Sequence, residues 1–325
     1  RSGESSGAVV DGFTITGGKA LEGGAILVTD SDPVIRHCTF RGNRAEGSFQ
    51  ARGGALAGMD TRLGLFDCTF ETNSSTYSGG AVYFDSDLSY PSGSAPDPPL
   101  VVDCLFTGNL AKIGGALSQG SSIDGLQLAG SRFVGNLATS TGGALSLNGT
   151  VWIESCHFAG NRAEGAGGAI YTGGFFANVS LLGSTLRANA SATGGGGLCA
   201  TGYSTTLRSS IFWSNSADDP LAPQELWSAA FYNPGVLDVS YCTVAGGQAG
   251  VGLEVASQLE WGPGNLQVDP RFLSAIASDP HLSNSSPCIE AAEPTWVPSM
   301  FDRDIDGGPR RVGAVVDMGA DETTP

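Results

Sequence analysis

Apolar residues fall in short alternating runs along this chain: AILV (Ala25–Val28), VIRHCTF (Val34–Phe40), LGLFDCTF (Leu63–Phe70), LVVDCLF (Leu100–Phe106) and VWIESCHF (Val151–Phe158). Alternation with a period of two predicts strands with one buried face, and no sustained helical period precedes the C-terminal region. Gly, Asn and Ser turns separate the runs.

Two signatures recur between them. Gly-Gly-Ala plus an aliphatic residue starts at Gly23, Gly53, Gly79, Gly114, Gly142 and Gly167, with a degenerate GGGL at Gly195. An aromatic-x-x-Asn unit follows Phe40, Phe70, Phe106, Phe133, Phe158 and Phe212, with Leu186 substituting once. Successive units lie 25 to 36 residues apart. A unit of that size cannot close its own core, so neighbours stack. Equivalent positions then lie above one another about 4.8 Å apart, as in-register parallel strands. The pattern predicts an all-β fold: a single-stranded right-handed parallel β-helix of about eight or more coils over residues 1–262. Residues 263–325 are expected to form a C-terminal capping module on the last coil.

Within C-x-F-x-x-N, Cys and Phe are two apart and face the same way. Cys38, Cys68, Cys104, Cys156 and Cys242 are expected to form one inward column, and Phe40, Phe70, Phe106, Phe133 and Phe158 a second. Asn43, Asn73, Asn109, Asn136, Asn161, Asn189 and Asn215 fall at a turn, where amides bond the coils above and below. A metal or redox site needs thiols that converge on one point, whereas a column spreads them along an axis, and there is no CxxC. The seven cysteines are odd in number, which excludes a complete intrachain disulfide framework.

These Gly-Gly-Ala-aliphatic and Phe-x-x-Asn units resemble the repeats of chlamydial polymorphic outer-membrane proteins and of many secreted bacterial β-helix proteins. VVDGFTITGG (Val9–Gly18) is similar to the opening coil of that wider set. GNLQVDPRF (Gly264–Phe272), LSNSSPCIEAA (Leu282–Ala292), DRDIDGGPRRVG (Asp302–Gly313) and VDMGADE (Val316–Glu322) resemble closing modules sometimes called choice-of-anchor domains. The resemblance implies a secreted or surface-anchored β-helix. It implies no chemistry, since members range from adhesins to carbohydrate-active proteins.

The formal charge of −16, with Lys19 and Lys112 the only lysines, disfavours nucleic acid and anionic membranes as partners. No apolar run reaches the ~18 residues of a membrane-spanning helix, and no secretion signal opens the chain. The outward row after Gly-Gly-Ala reads Leu27, Ala57, Tyr83, Ser118, Ser146 and Tyr171. It carries neither the carboxylate pair of a glycosidase nor the base and cation of a lyase. No catalytic residue is assigned, and His37, His157 and His281 read as incidental surface groups.

Recognition is instead expected in the insertions, Asp85–Pro99 and Asn215–Gly235. The second brings Trp227, Phe231 and Tyr232 beside Asp218, Asp219 and Glu225, a set that either stacks on sugar rings or covers a coil edge. Asp302, Asp304 and Asp306 match the start of a Ca²⁺ loop, D-x-D-x-D-G, although Gly313 stands where its Glu is expected. Those aspartates otherwise cap turns or pair with Arg310 and Arg311. Nothing before AVVDGF is long enough to cap the first coil, which predicts self-association through open β-helix ends. The combined reading is a non-catalytic extracellular or cell-surface β-helix serving adhesion, surface-layer or filament roles, with itself or surface glycans as partners. The alternative is a polysaccharide lyase, a glycosidase or a glycan-binding module working through the inserted loops.

Overall fold

A computed structural model of the chain describes residues 7–47, 50–85, 98–120, 125–174, 177–222, 224–229, 235–298 and 302–323. The chain winds as a parallel β-solenoid with four sheets of 10, 9, 8 and 9 strands, each coil contributing one strand to each sheet. Eight full coils begin at Val9, Val34, Gly64, Leu100, Leu126, Thr150, Asn178 and Ser204, and an incomplete ninth begins at Val236. The only helical turn among the described residues is a 3₁₀ turn over Gly247–Gly250, and no helix there could cross a membrane.

Register explains why the sequence repeats. In the first sheet Val10, Ile35, Leu65, Val101, Leu128, Ile153, Leu181, Leu207, Val239 and Trp261 stand in one column. In the second sheet the column runs Ile15, Phe40, Phe70, Phe106, Phe133, Phe158, Leu186, Phe212, Val244. Its five consecutive phenylalanines stack with ring centroids 4.7 to 4.9 Å apart and planes within 6°. All five are fully buried, and each contributes about 1.5–3 kcal/mol of burial.

The amides form a continuous hydrogen-bonded line beside that stack. From Asn73 through Asn215, each Oδ1 accepts both the backbone N–H and the Nδ2–H of the preceding Asn, at 2.8 to 3.1 Å. Each Nδ2 also reaches a backbone carbonyl, as Asn136 does to Phe106 O at 3.0 Å. The line is sited by left-handed corners, where Gly42, Thr72, Gly108, Gly135, Gly160, Ala188 and Ser214 all have φ between 52° and 62°. Glycine takes four of those seven places because positive φ costs other residues energy.

The thiol column is mixed. Ser131, Ser184 and Ser210 stand in for cysteine in three coils, and their hydroxyls accept the backbone N–H groups of Cys104, Cys156 and Ser184 at 3.1 Å. All seven cysteines are buried and free.

Two expectations need correction. The row Leu27, Ala57, Tyr83, Ser118, Ser146, Tyr171 is in register along the fourth sheet. It is no open face, however, because Ala57, Tyr83, Ser118 and Ser146 are buried, with Arg52 stacked on Tyr83 and Ser78 bonded to Ser118. His157 is no surface group either: it is fully buried.

Candidate functional site

The segment after Trp261 decides where an open surface remains. Leu266 pairs with Thr243 on the last coil, and Asn265 bonds Cys242. The chain then runs back along the outer face of the second sheet. Outward side chains there form the column Thr14, Thr39, Thr69, Leu105, Arg132, His157, Thr185, Ile211, Thr243. The later coils supply an apolar seat, where Ile211 packs with Leu282, Cys288 and Met318. Thr185 Oγ1 accepts the Ala320 N–H at 3.0 Å, and Ser209 O accepts the Gly319 N–H at 2.8 Å.

Two arginines fasten this segment. Arg187 donates to the carbonyls of Ser274, Ile276 and Asp279 at 2.9 to 3.1 Å while lying 4.2 Å over the Phe272 ring. Arg310 is fully buried; it pairs with Glu322 at 2.8 Å, donates to Ser155 Oγ at 3.1 Å and to the carbonyls of Asp317 and Gly319.

Coverage stops at the fifth coil. There Arg132 pairs with Asp306 and donates to Ile305 O at 3.1 Å. Beyond that contact a groove of about 470 Å³ opens between the solenoid and the 302–308 loop, lined by Asp67, Asp103, Arg132, Arg303, Asp306 and Gly307 among others. Asp67 and Asp103 occupy the same left-handed corner of consecutive coils, with φ of 49° and 51°. Burial, reinforced by the charge of Asp67, raises the Asp103 pKa from its ordinary value, and Arg303 opposes the shift. The groove thus sets three acids, Asp67, Asp103 and Asp306, against two guanidinium groups.

Residues 67–85 and 155–173 match the Chlamydia polymorphic membrane protein repeat. No curated protein and no solved structure matches the chain. Both matched stretches cover the same arc of a coil, from the left-handed corner before Cys68 or Cys156 to the end of the fourth-sheet strand. That arc carries the Phe, the ladder Asn and the Gly-Gly-Ala turn. Two glycines stand at that turn because a Cβ on Gly54 would meet Gly80 O at 2.0 Å and one on Gly168 would meet Gly196 O at 2.2 Å. The repeat therefore specifies how coils stack, and the groove lies where its corner residues vary.

The insertion residues that are described do not converge. Glu225 is turned inward: its carboxylate accepts the Asn215 Nδ2–H at 2.6 Å and the Asn215 backbone N–H at 3.3 Å, ending the amide line with an acceptor-only group. Burial, only partly offset by those bonds, raises its pKa to about 7. Asp218 pairs with Arg162 on the surface, Asp219 accepts the Leu221 N–H, and Trp227 lies between Cys199 and Gly252 on the fourth sheet. Phe231 and Tyr232 lie outside the described residues, as does most of the Asp85–Pro99 insertion.

The three loop aspartates also diverge. Asp304 is buried, and its Oδ1 accepts the N–H groups of Asp306 and Gly308 at 3.0 and 2.7 Å. Asp302 is exposed. Asp306 divides its oxygens between Arg132 and His281 Nε2, the latter at 2.6 Å. His281 is therefore no incidental group: burial alone would lower its pKa, but bonds to Asp279 and Asp306 outweigh it and raise the value to about 9. The signal available in the sequence for the groove was the acid before the cysteine in FDCTF and VDCLF, repeated at one corner.

His157 lies under the C-terminal segment with neither ring nitrogen hydrogen-bonded. Burial, with Arg132 and Arg187 adding to it, lowers its pKa to about 3. The folded value lies below the unfolded one near 6.5, so stability is complete above about pH 6.5 and falls as pH drops toward 3. His157→Leu is expected to raise stability by about 1–3 kcal/mol, since two buried polar atoms lose no partner. The variant should also show a shallower decline between pH 6 and pH 4, read from urea midpoints across that range.

Proposed function

We propose that this chain is a non-catalytic β-helix of the cell surface or extracellular space that serves adhesion or assembly. The observation that carries this reading is the polymorphic membrane protein repeat on two coils, since that family is named for membrane proteins. The net charge of −16 and the buried repeat positions agree with a rod whose outer features do the binding. Residues 263–325 act in this reading as the closing module of the rod.

Self-association is the finer part of the proposal. Among the described residues, the inward Val10, Ile15 and Ile26 of the first coil are only partly buried, and the strands starting at Val9, Thr14, Lys19 and Ile26 are each paired along one edge. A second copy adding strands there would bury them. Light scattering across a hundredfold concentration range is expected to show a growing mass, and a constant monomer mass would remove assembly from the proposal. Surface placement is tested by protease shaving of intact producing cells: the chain should be lost from cells whose cytosolic markers survive.

The groove supports a second reading, action on or binding of polysaccharide. Asp67 and Asp103 stand one coil apart, the Asp103 pKa is raised by burial, and Arg303 offers charge to a uronate. Reducing-end and unsaturated-uronate assays on acidic and neutral glycans should find no turnover under the leading reading. Turnover abolished by Asp103→Asn would replace that reading with the enzymatic one.

A further inference from the structure

One cluster on the C-terminal segment gathers an imidazole nitrogen and two carboxylates around one point. His281 Nε2 and single carboxylate oxygens of Asp306 and Asp321 lie within 4.8 Å of one another. Asp279 Oδ1 sits 2.5 Å from His281 Nδ1, and Nε2 faces the other two acids, 2.6 Å from Asp306 Oδ2, a bond that an ion between the two atoms would replace. A carboxylate on the far ring nitrogen is the arrangement that orients metal-ligating histidines.

The third member supplies an independent observation. Asp321 is only 5% exposed. Its Oδ2 accepts one long bond, from the Leu282 N–H at 3.4 Å, and its Oδ1 stands 3.9 Å from His281 Nε2, beyond hydrogen-bond reach. A buried carboxylate satisfied this poorly carries a desolvation cost that a cation at the centre of the cluster would offset.

We propose that His281, Asp306 and Asp321 form a divalent transition-metal site of the zinc or manganese class. One imidazole nitrogen with two carboxylate oxygens suits such ions, whereas Ca²⁺ prefers six to eight oxygens. The D-x-D-x-D-G loop serves as scaffold: Asp304 spends an oxygen on two loop amides, and the turn so formed presents Asp306. Three protein ligands leave a coordination position for water or for a group on a partner. Through the Asp306–Arg132 pair the ion would also tie the segment to the fifth coil beside the groove.

The test uses the full chain, treated with EDTA, dialysed and titrated with Co²⁺, Zn²⁺ and Ca²⁺ separately. One equivalent of Co²⁺ should bind with visible d–d bands and without strong thiolate-to-cobalt absorption, and Zn²⁺ should compete for it. His281→Gln and Asp306→Asn alter half-exposed or exposed residues and should weaken Zn²⁺ at least tenfold. Asp279→Asn, whose side chain bonds the imidazole and the backbone N–H of His281, should weaken it by about tenfold, with far-UV circular dichroism unchanged in all three. Absence of Co²⁺ and Zn²⁺ binding would overturn the proposal, as would affinity indifferent to His281→Gln. A thiolate band would move the ion to the cysteines, and Ca²⁺ as the only cation bound would return it to the all-oxygen loop; either result overturns the site.

Discussion

Asn136→Ala should lower stability by about 3–5 kcal/mol, the largest loss expected from any single amide truncation in the chain. Asn136 Oδ1 accepts both the backbone N–H and the Nδ2–H of Asn109, at 3.0 Å each. Its own Nδ2 donates to Phe106 O at 3.0 Å and to Asn161 Oδ1 at 2.9 Å. Truncation orphans two buried donors and one buried carbonyl, and the site is too enclosed for water to replace them easily. Asn136→Asp should recover only part of the loss, because it restores the acceptor but removes the donor. Asn43→Ala should cost roughly half as much, since Asn43 Oδ1 accepts one bond only, from the Gly18 N–H at 2.9 Å. Equilibrium urea unfolding of the four proteins checks the order. Equal losses at Asn43 and Asn136 would show that the amides act singly and not as a line.

Arg310→Ala should cost a comparable amount and act on a different part of the molecule. The guanidinium is fully buried, and burial pulls its pKa below the usual arginine range while the Glu322 charge opposes that shift. Removing it leaves Glu322 buried without its cation, a change worth about 3–5 kcal/mol. It also cuts the bonds to Ser155, Asp317 and Gly319 and the face of Trp296, 5.3 Å away. The solenoid makes its ladders without this residue. The expected result is therefore local: faster amide exchange and proteolysis in 263–323, with strand amides of the first four coils unchanged. Arg310→Met combined with Glu322→Gln should recover part of the loss because no uncompensated charge stays buried. Global unfolding together with the early coils would show that the segment is integral to the rod.

What the residues disclosed follows from periodicity. A stacked fold repeats its neighbours once per coil, so Phe and Asn recur at fixed spacing, and that spacing named the columns directly. Substitutions within a column were harder to see. Ser131, Ser184 and Ser210 replace cysteine with a group of similar size that can also accept a neighbour's N–H. Glu225 looked like a ligand residue beside Trp227, yet a line of amides needs an acceptor at its end, and a carboxylate supplies only acceptors.

The C-terminal segment shows the opposite case, because it does not repeat. Its contacts join residues more than a hundred positions apart, such as Arg132 with Asp306 and Ser155 with Arg310. No local pattern encodes such distances. The same docking buries His157, brings His281 against Asp306 and Asp321, and leaves the groove open at Asp67 and Asp103.

The sequence by itself determined the coil, its columns and the solenoid, because equivalent positions of adjacent coils meet every 25 to 36 residues and must suit one another. Only the tertiary structure decided which outward residues are covered, which titratable groups share a site and where a groove remains. Those properties depend on how a non-repeating segment lies across the rod, and that is set by shape and charge over the whole face.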